Sequence, residues 1–172
     1  MHTLHLLRHA KSSWDEALED HERPLSRRGR EAARRVGKSL PAALGALDLV
    51  LCSTAARTRE TAQLVLAGLA PPPRILHEDA LYLASPAVLL RRLSRLDERD
   101  GAVMVIGHNP GLHELAIALA EPDSPHYRAF SAGKFPTTAR ASFSIASPWA
   151  KLEGSRHPLV DYVTARSLGK EG

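Results

Sequence analysis

Short apolar runs alternate with longer helical segments along the first two thirds of the chain, and this alternation restricts the fold to the α/β class. We predict strands at 3–7, 47–52, 74–77 and 102–107, which alternate with helices at about 26–40, 55–68, 86–97 and 112–120. Strands joined by crossover helices form a parallel sheet covered by helices. Two later strands, predicted at 139–146 and 159–165, have no helix between them and indicate a hairpin at one sheet edge.

Arginine and histidine side chains follow three of these strands at the points where the strands end. Arg8 and His9 come directly after the first strand, His108 follows the fourth, and Arg57 lies on the first turn of the helix after the second. In open α/β sheets, ligands bind just beyond the carboxyl ends of the strands. A guanidinium group presents a rigid fork of donors to phosphate oxygens, and an imidazole can carry a phosphoryl group covalently. The sequence therefore predicts an anion site at this rim.

Four short motifs between residues 4 and 111 carry a family resemblance. They are Leu6-Leu7-Arg8-His9-Ala10, the segment from Asp20 to Gly29 that contains Arg23-Pro24-Leu25-Ser26, the segment from Ser53 to Ala62, and Ile106-Gly107-His108-Asn109-Pro110. In this order they resemble the motifs of the histidine phosphatase superfamily, which includes the cofactor-dependent phosphoglycerate mutases and the acid phosphatases. Within it, the chain is similar to the small SixA-type phosphohistidine phosphatases, with Ala10 at a position where the family usually has glycine.

The resemblance implies a fold and a role for each of these residues. The fold would be phosphoglycerate mutase-like, a three-layer α/β/α arrangement around a mostly parallel central sheet. His9 would be the catalytic nucleophile and form a phosphohistidine that water hydrolyses. Arg8 and Arg57 would bind the phosphoryl oxygens, His108 would donate a further hydrogen bond, and Arg23 would close the pocket from its loop.

A carboxylate after the third strand is a possible general acid. The mutase-like relatives carry a glutamate at this point, and here Glu78 is available with Asp79 beside it. The residues that follow, 80–85, lack the glycine-rich continuation of those relatives. An alkoxide leaving group needs a proton donor, whereas an imidazole leaves more readily. We therefore predict Glu78 as a catalytic acid for esters and leave open a solvated loop carboxylate, or Asp79, as the alternative.

Composition is typical of one globular domain with an acidic ligand. The 172 residues are 44% hydrophobic and 24% charged, which predicts a single domain over 1–172. The net charge of +4 favours acidic partners. The lysines and arginines are scattered and aromatic residues make up only 5%, so we expect no binding to nucleic acid.

The cysteine, histidine and acidic residues predict neither a metal site nor an internal disulfide. Cys52 is the only cysteine, and its apolar surroundings favour a small buried side chain. No spacing is typical of zinc and no carboxylate cluster suits Mg²⁺, so we expect no metal ion and no other cofactor. Met1 to Leu4 leads into the first strand without an apolar signal segment, which predicts a cytoplasmic chain and no membrane span.

Three classes of function remain open from the sequence. The first is a metal-independent phosphatase that acts on phosphohistidine, or a similar phosphoramidate, in proteins. The second is a phosphatase or mutase for a small phosphorylated metabolite that uses the same His9, and the third is a non-catalytic phosphate-binding module. The presence of Arg8, His9, Arg57 and His108 together favours the first two. Short loops predict a shallow, open pocket, which favours a phosphorylated protein over a small phosphorylated substrate.

Overall fold

One six-stranded sheet forms the centre of the computed structural model, which describes residues 1–14 and 17–169. The strands, numbered along the chain, are β1 (His2–Arg8), β2 (Leu49–Ser53), β3 (Arg74–Glu78), β4 (Ala102–Gly107), β5 (Arg140–Ile145) and β6 (Leu159–Val163). Their order across the sheet is β3-β2-β4-β1-β5-β6. The first four strands are parallel, whereas β5 is antiparallel to both β1 and β6. The mostly parallel sheet and the antiparallel pair at one edge are both confirmed.

Helices connect the strands and differ from the prediction mainly at their ends. They are α1 (Arg27–Leu44), α2 (Ala56–Val65), α3 (Pro86–Ser94), α4 (Gly111–Leu119), α5 (Tyr127–Ser131) and α6 (Ala165–Gly169). Helix α1 continues beyond the predicted residue 40 and through Pro41, because its last residue, Leu44, still packs against a hydrophobic core. Helices α5 and α6 were not predicted, since five residues are too few to show a helical period.

Successive residues of each strand point to opposite faces of the sheet, and this alternation produces two hydrophobic cores. Leu49 and Leu51 of β2 pack on the face covered by α3 and α4. Val50 and Cys52 of the same strand pack on the face covered by α1 and α2. Cys52 is fully buried, and burial raises the pKa of its thiol to about 12. The three-layer α/β/α fold is therefore confirmed, and Cys52 is part of its core.

The strand order brings the polar strand ends of the sequence prediction to one edge of the sheet. Strands β2, β4 and β1 are neighbours, and their carboxyl ends meet there. Arg8 at the end of β1 is level with Gly107 at the end of β4, and Cys52 near the end of β2 is level with Ile106. The residues that follow these strands consequently emerge side by side.

Helix α1 begins against the loop that follows β1, and Gly29 permits this close approach. The backbone N–H of Ser26 donates to the carbonyl oxygen of Lys11 at 2.9 Å, and the Ser26 hydroxyl accepts from the Gly29 N–H at 3.0 Å. A Cβ atom at Gly29 would lie 2.0 Å from the Lys11 carbonyl oxygen, far inside van der Waals contact. Glycine at this position therefore keeps α1 packed against the residues that follow His9.

We expect Gly29→Ala to lower the free energy of unfolding by about 1–3 kcal/mol, the range typical of overpacking. Helix propensity alone predicts the opposite sign, because alanine stabilises a helix interior by about 1 kcal/mol relative to glycine. Urea denaturation measures the change. The matched control is Gly68→Ala, where the nearest atom to the added Cβ, Pro41 Cγ, lies at an ordinary 3.6 Å. A gain in stability for Gly29→Ala would contradict the close contact.

Candidate active site

A cleft at the carboxyl ends of β1, β2 and β4 brings five predicted site residues together. They are Arg8, His9, Arg23, Arg57 and His108. The cleft has a volume of about 370 Å³, and its other lining residues are Lys11, Ser12, Trp14, Asp20, Leu83, Asn109 and Thr137. A larger concavity of about 460 Å³ lies between α2 and β3, but it is lined by none of the predicted site residues. The side chains that line this cleft, rather than its volume, therefore identify it as the candidate site.

The imidazole of His9 is nearly buried and electrically neutral. Its Nδ1 lies 2.6 Å from the carbonyl oxygen of Ala10, which only accepts hydrogen bonds, so Nδ1 carries the hydrogen and Nε2 keeps its lone pair. Burial, with the positive charges of Arg57 and Arg8, lowers the pKa of His9 to about 4, although the hydrogen bond to Ala10 opposes this shift. At physiological pH the side chain is therefore an unprotonated imidazole with a lone pair on Nε2.

A second buried imidazole, that of His108, lies beside His9 with 5.3 Å between the ring centres. Its Nε2 lies 2.7 Å from Ser53 Oγ, while its Nδ1 has no hydrogen-bond partner among the described residues. Burial lowers the pKa of His108 to about 3, and the electrostatic interactions with the neighbouring His9 ring and with the positive charge of Arg57 contribute. Sequence reasoning missed Ser53 as a site residue, although it ends β2 and the strand-end pattern could have identified it.

The guanidinium groups of Arg8 and Arg57 retain buried donors for a ligand. Arg8 donates from Nη1 to the carbonyl oxygen of Phe135 at 3.2 Å. The Nε atoms of Arg8 and Arg57 are buried and have no hydrogen-bond partner within the described part of the chain. Burial and the neighbouring charge of Arg57 lower the pKa of Arg8. Buried donors without acceptors cost free energy, and the oxygens of an anion would remove that cost.

Asp20 places a carboxylate between two of the arginines. Arg57 donates from Nη1 to the Asp20 backbone oxygen at 2.7 Å and from Nη2 to Oδ2 at 3.0 Å. Arg23 donates from Nε and Nη2 to Oδ1 at 3.1 and 3.0 Å. The Tyr82 hydroxyl donates to Oδ2, and this contact, followed by those of the arginines, holds the pKa of Asp20 well below its usual range. Asp20 thus occupies arginine donors that a phosphoryl group would also use.

Arg23 has a fixed orientation at the mouth of the cleft. It donates from Nη1 to Ser12 Oγ at 2.6 Å and to the carbonyl oxygen of Ser13 at 3.2 Å, in addition to its bonds to Asp20. Its guanidinium carbon lies 3.5 Å from the centre of the Trp14 ring. Sequence reasoning missed Asp20 and Trp14 as site residues, although Asp20 lies three residues before Arg23 in the same motif.

Glu78 lies apart from the residues that line the cleft. Its carboxylate accepts two hydrogen bonds from Arg92, from Nε at 2.8 Å and from Nη2 at 2.9 Å. The neighbouring Asp79 accepts a hydrogen bond from Thr54 Oγ1 at 2.7 Å. A proton-donating role for Glu78 stays a prediction, since these contacts bind its carboxylate to Arg92 rather than direct it to the site.

The described residues also bear on metals and membranes. Within 1–14 and 17–169, no group of three or more histidine, cysteine, aspartate or glutamate side chains is arranged to hold a metal ion. Over the same ranges, no helix combines the length and apolar character that a membrane span requires. The positive charges lining the cleft belong to lysine and arginine side chains.

Comparison with known proteins identifies the family. Residues 4–81 match the family model of the histidine phosphatase superfamily, branch 1. The fold is similar to that of a protein from Nakamurella multipartitia named as a phosphohistidine phosphatase SixA, with a TM-score of 0.82 and 29% identity over 95% of each chain. The chain belongs to the histidine phosphatase superfamily. It is a phosphatase of the SixA-type branch, and its sheet and helices form the phosphoglycerate mutase-like fold that the motifs implied.

Other relatives of this histidine phosphatase match nearly its whole length. A SixA-named protein from Agrobacterium tumefaciens has a TM-score of 0.80 and 27% identity, with 95% of this chain and 97% of that chain covered. An uncharacterized protein of Mycobacterium tuberculosis strain H37Rv is 37% identical over 163 residues, which span 93% of this chain and 100% of that protein. The similarity thus includes the C-terminal third, where sequence analysis identified none of the motifs.

We expect the His9 imidazole of this histidine phosphatase to remain neutral at pH 5.5, because burial and the adjacent arginines disfavour its protonation. A histidine of ordinary pKa, near 6.5, is about 90% protonated at that pH. Nuclear magnetic resonance of the imidazole carbons measures the protonation state, with His9→Gln used to assign the signal. Replacing Arg57 by Met removes a positive charge and should raise the pKa of His9 towards 6.5. A His9 signal that titrates near pH 6.5 in the unaltered protein would contradict this account.

Proposed function

We propose that this phosphatase removes phosphoryl groups from histidine side chains of proteins, through a phosphohistidine intermediate on His9. The observation that carries the proposal is a neutral imidazole, His9, in the same cleft as the guanidinium groups of Arg8 and Arg57. A transferring phosphoryl group needs an in-line nucleophile and compensation of the charge on its three equatorial oxygens. The cleft offers both.

Nε2 of His9 is the proposed attacking atom. The bond from Nδ1–H to the Ala10 carbonyl oxygen fixes the tautomer, so the lone pair is on Nε2. Attack forms a nitrogen–phosphorus bond on His9 while the bond between phosphorus and the substrate nitrogen breaks. The departing nitrogen keeps the electron pair, and the substrate ring, already protonated on its other nitrogen, leaves as a neutral imidazole. Water then attacks the phosphorus atom, releases phosphate and restores His9 as a neutral imidazole.

The remaining cleft residues would stabilise the phosphoryl oxygens. Arg8 and Arg57 line the cleft and supply positive charge, and guanidinium groups form strong hydrogen bonds to anionic oxygens. If the Ser53 hydroxyl donates to Nε2 of His108, then Nδ1 of this neutral imidazole carries the hydrogen, and this buried N–H has no hydrogen-bond partner among the described residues. We assign it as a further donor to the phosphoryl group. The substrate phosphoryl group would take over the Arg57 donors that Asp20 holds in the free protein.

The chemistry of the leaving group favours phosphohistidine over alkyl phosphate esters. A phosphohistidine ring that carries a proton on its second nitrogen releases a neutral imidazole, whose conjugate acid has a pKa near 6.5. This leaving group needs little further assistance from an acid, whereas an alkoxide needs a proton donor. The carboxylate of Glu78 is bound by Arg92 outside the cleft, so it offers little such assistance. A cleft of about 370 Å³ open to solvent also suits a side chain on a protein surface.

We expect His9 to be phosphorylated during turnover, because it combines a free Nε2 lone pair with neighbouring arginines. Rapid quenching with phosphohistidine protein labelled with ³²P should trap an acid-labile, base-stable phosphoenzyme. His9→Ala should trap no label and show no turnover. The reaction should proceed in excess EDTA, since arginine side chains supply the positive charge. Turnover that persists in His9→Ala, or that requires a specific metal after chelation, would contradict the proposed mechanism.

Two variants test two different properties of the site. Glu78→Gln tests whether the leaving group needs an acid, and Arg57→Ala tests the contacts to the phosphoryl oxygens. We expect Glu78→Gln to retain kcat/KM on phosphohistidine, because the imidazole leaves without an acid. Arg57→Ala should lower kcat/KM by about 10²–10³ on phosphohistidine and on an alkyl phosphate alike, because both present the same oxygens. A loss of about 10²–10⁴ for Glu78→Gln, confined to a preferred alkyl phosphate, would instead identify Glu78 as the acid of a metabolite phosphatase.

A further inference from the structure

Two large apolar side chains, Trp14 and Leu83, border the cleft and are open to solvent. Trp14 is 76% exposed and Leu83 is 54% exposed, and both line the cleft. Exposed apolar side chains are common on protein surfaces, but of the large hydrophobic residues exposed in the described part of the chain, Trp14 and Leu83 alone line this cleft. Exposed apolar surface next to a polar site is typical of ligand contact.

Arg23 supports one face of the Trp14 ring. Its chain segment is anchored by the hydrogen bond from the Ser13 N–H to the Pro24 carbonyl oxygen, at 2.8 Å, and by the bridge between Ser12 and Leu25. One face of the indole packs on the guanidinium group of Arg23, with Cζ 3.5 Å from the ring centre. Because three quarters of the side chain is exposed, the other face of the ring is open to a ligand.

Leu83 is held on the cleft by an unusual backbone conformation. Its φ angle is 49°, in the left-handed region that side chains other than glycine, asparagine and aspartate rarely adopt. The hydrogen bond from the Ala84 N–H to the Leu81 carbonyl oxygen, at 3.3 Å, spans this residue. Backbone strain of this kind persists where the surrounding structure enforces it, and it is concentrated at ligand sites.

We infer that Trp14 and Leu83 bind the ring that carries the phosphoryl group, the imidazole of a phosphohistidine side chain, and so select a ring-bearing substrate. This inference rests on the proposed function. With the phosphoryl group on His9 and the arginines, the group beyond the breaking bond lies towards the mouth of the cleft. A flat imidazole can stack on the open indole face and contact the leucine methyl groups. A carrier rich in hydroxyl groups would lose hydrogen bonds to water there.

The test compares four phosphoryl donors that vary the ring and the bridging atom independently. Phosphoimidazole and phosphoramidate have a bridging nitrogen with and without a ring, and phenyl phosphate and glycerol 3-phosphate have a bridging oxygen with and without a ring. The quantity measured is kcat/KM of each variant divided by that of the wild type, which cancels the intrinsic reactivity of each donor. The variants are Trp14→Ala, Trp14→Phe and Leu83→Ala, with Val160→Ala as the control for loss of an exposed apolar residue outside the cleft.

We expect Trp14→Ala to lower kcat/KM on phosphoimidazole about five- to tenfold, the size typical of an aromatic stacking contact, and to change kcat/KM on phosphoramidate less than twofold. Leu83→Ala should act in the same direction, Trp14→Phe should restore most of the loss, and Val160→Ala should change neither donor. An equal fall on all four donors would overturn the inference, because Trp14 would then act only by supporting Arg23. No fall on any donor would also overturn it.

The two esters, phenyl phosphate and glycerol 3-phosphate, distinguish failure of this inference from failure of the proposed function. A wild type inactive on both nitrogen-bridged donors would reject the proposed function. If, in that case, Trp14→Ala lowered kcat/KM on phenyl phosphate but not on glycerol 3-phosphate, the assignment to phosphohistidine would be overturned and the substrate would be an aryl ester. A wild type that hydrolyses phosphohistidine without any effect of Trp14 or Leu83 would leave the proposed function standing and reject the ring contact alone.

Discussion

Repulsion among three guanidinium groups in one cleft is the constraint on which the rest of the site depends. Arg8, Arg23 and Arg57 lie together at the carboxyl ends of the strands, and the lowered pKa of Arg8 reflects burial and the charge of Arg57. Like charges at close range destabilise the folded state. Asp20 offsets part of that cost by accepting hydrogen bonds from Arg23 and Arg57. A bound phosphoryl dianion would offset more of it, so the repulsion in the free protein favours phosphate binding.

Burial, together with the same concentration of positive charge, explains the protonation states of the two histidines. His9 and His108 are buried next to the arginines, and their pKa values fall to about 4 and about 3. Both are therefore neutral at physiological pH, as the proposed nucleophile and the proposed hydrogen-bond donor require. The sheet enforces this proximity, because β1, β4 and β2 are neighbours and both cores hold them rigidly. The order of the strands therefore places both histidines next to the arginines, and this placement contributes to their low pKa values.

Sequence reasoning succeeded where a residue's position follows from strand order, and it failed where a side chain is placed by a distant partner. His9 and His108 directly follow strands, so the parallel sheet alone predicts that they meet. Asp20 joins the site through Arg57, 37 positions away in the sequence, and no local pattern reveals such a contact. Glu78 occupies the position that the family motif suggests, at the end of β3, but Arg92 on helix α3 determines where its carboxylate lies. The indole of Trp14 likewise packs on Arg23, a contact that no sequence motif reveals.

A crystal structure with vanadate, which adopts the five-coordinate geometry of a transferring phosphoryl group, tests the central claim most directly. The account predicts a bond from vanadium to Nε2 of His9, with oxygens contacted by Arg8, Arg57 and Nδ1 of His108. It also predicts that the Asp20 carboxylate gives up its bond to Arg57 Nη2, which measures 3.0 Å in the free protein. Vanadate bound in the cleft without a bond to His9, or bound elsewhere while Asp20 keeps Arg57, would contradict the account.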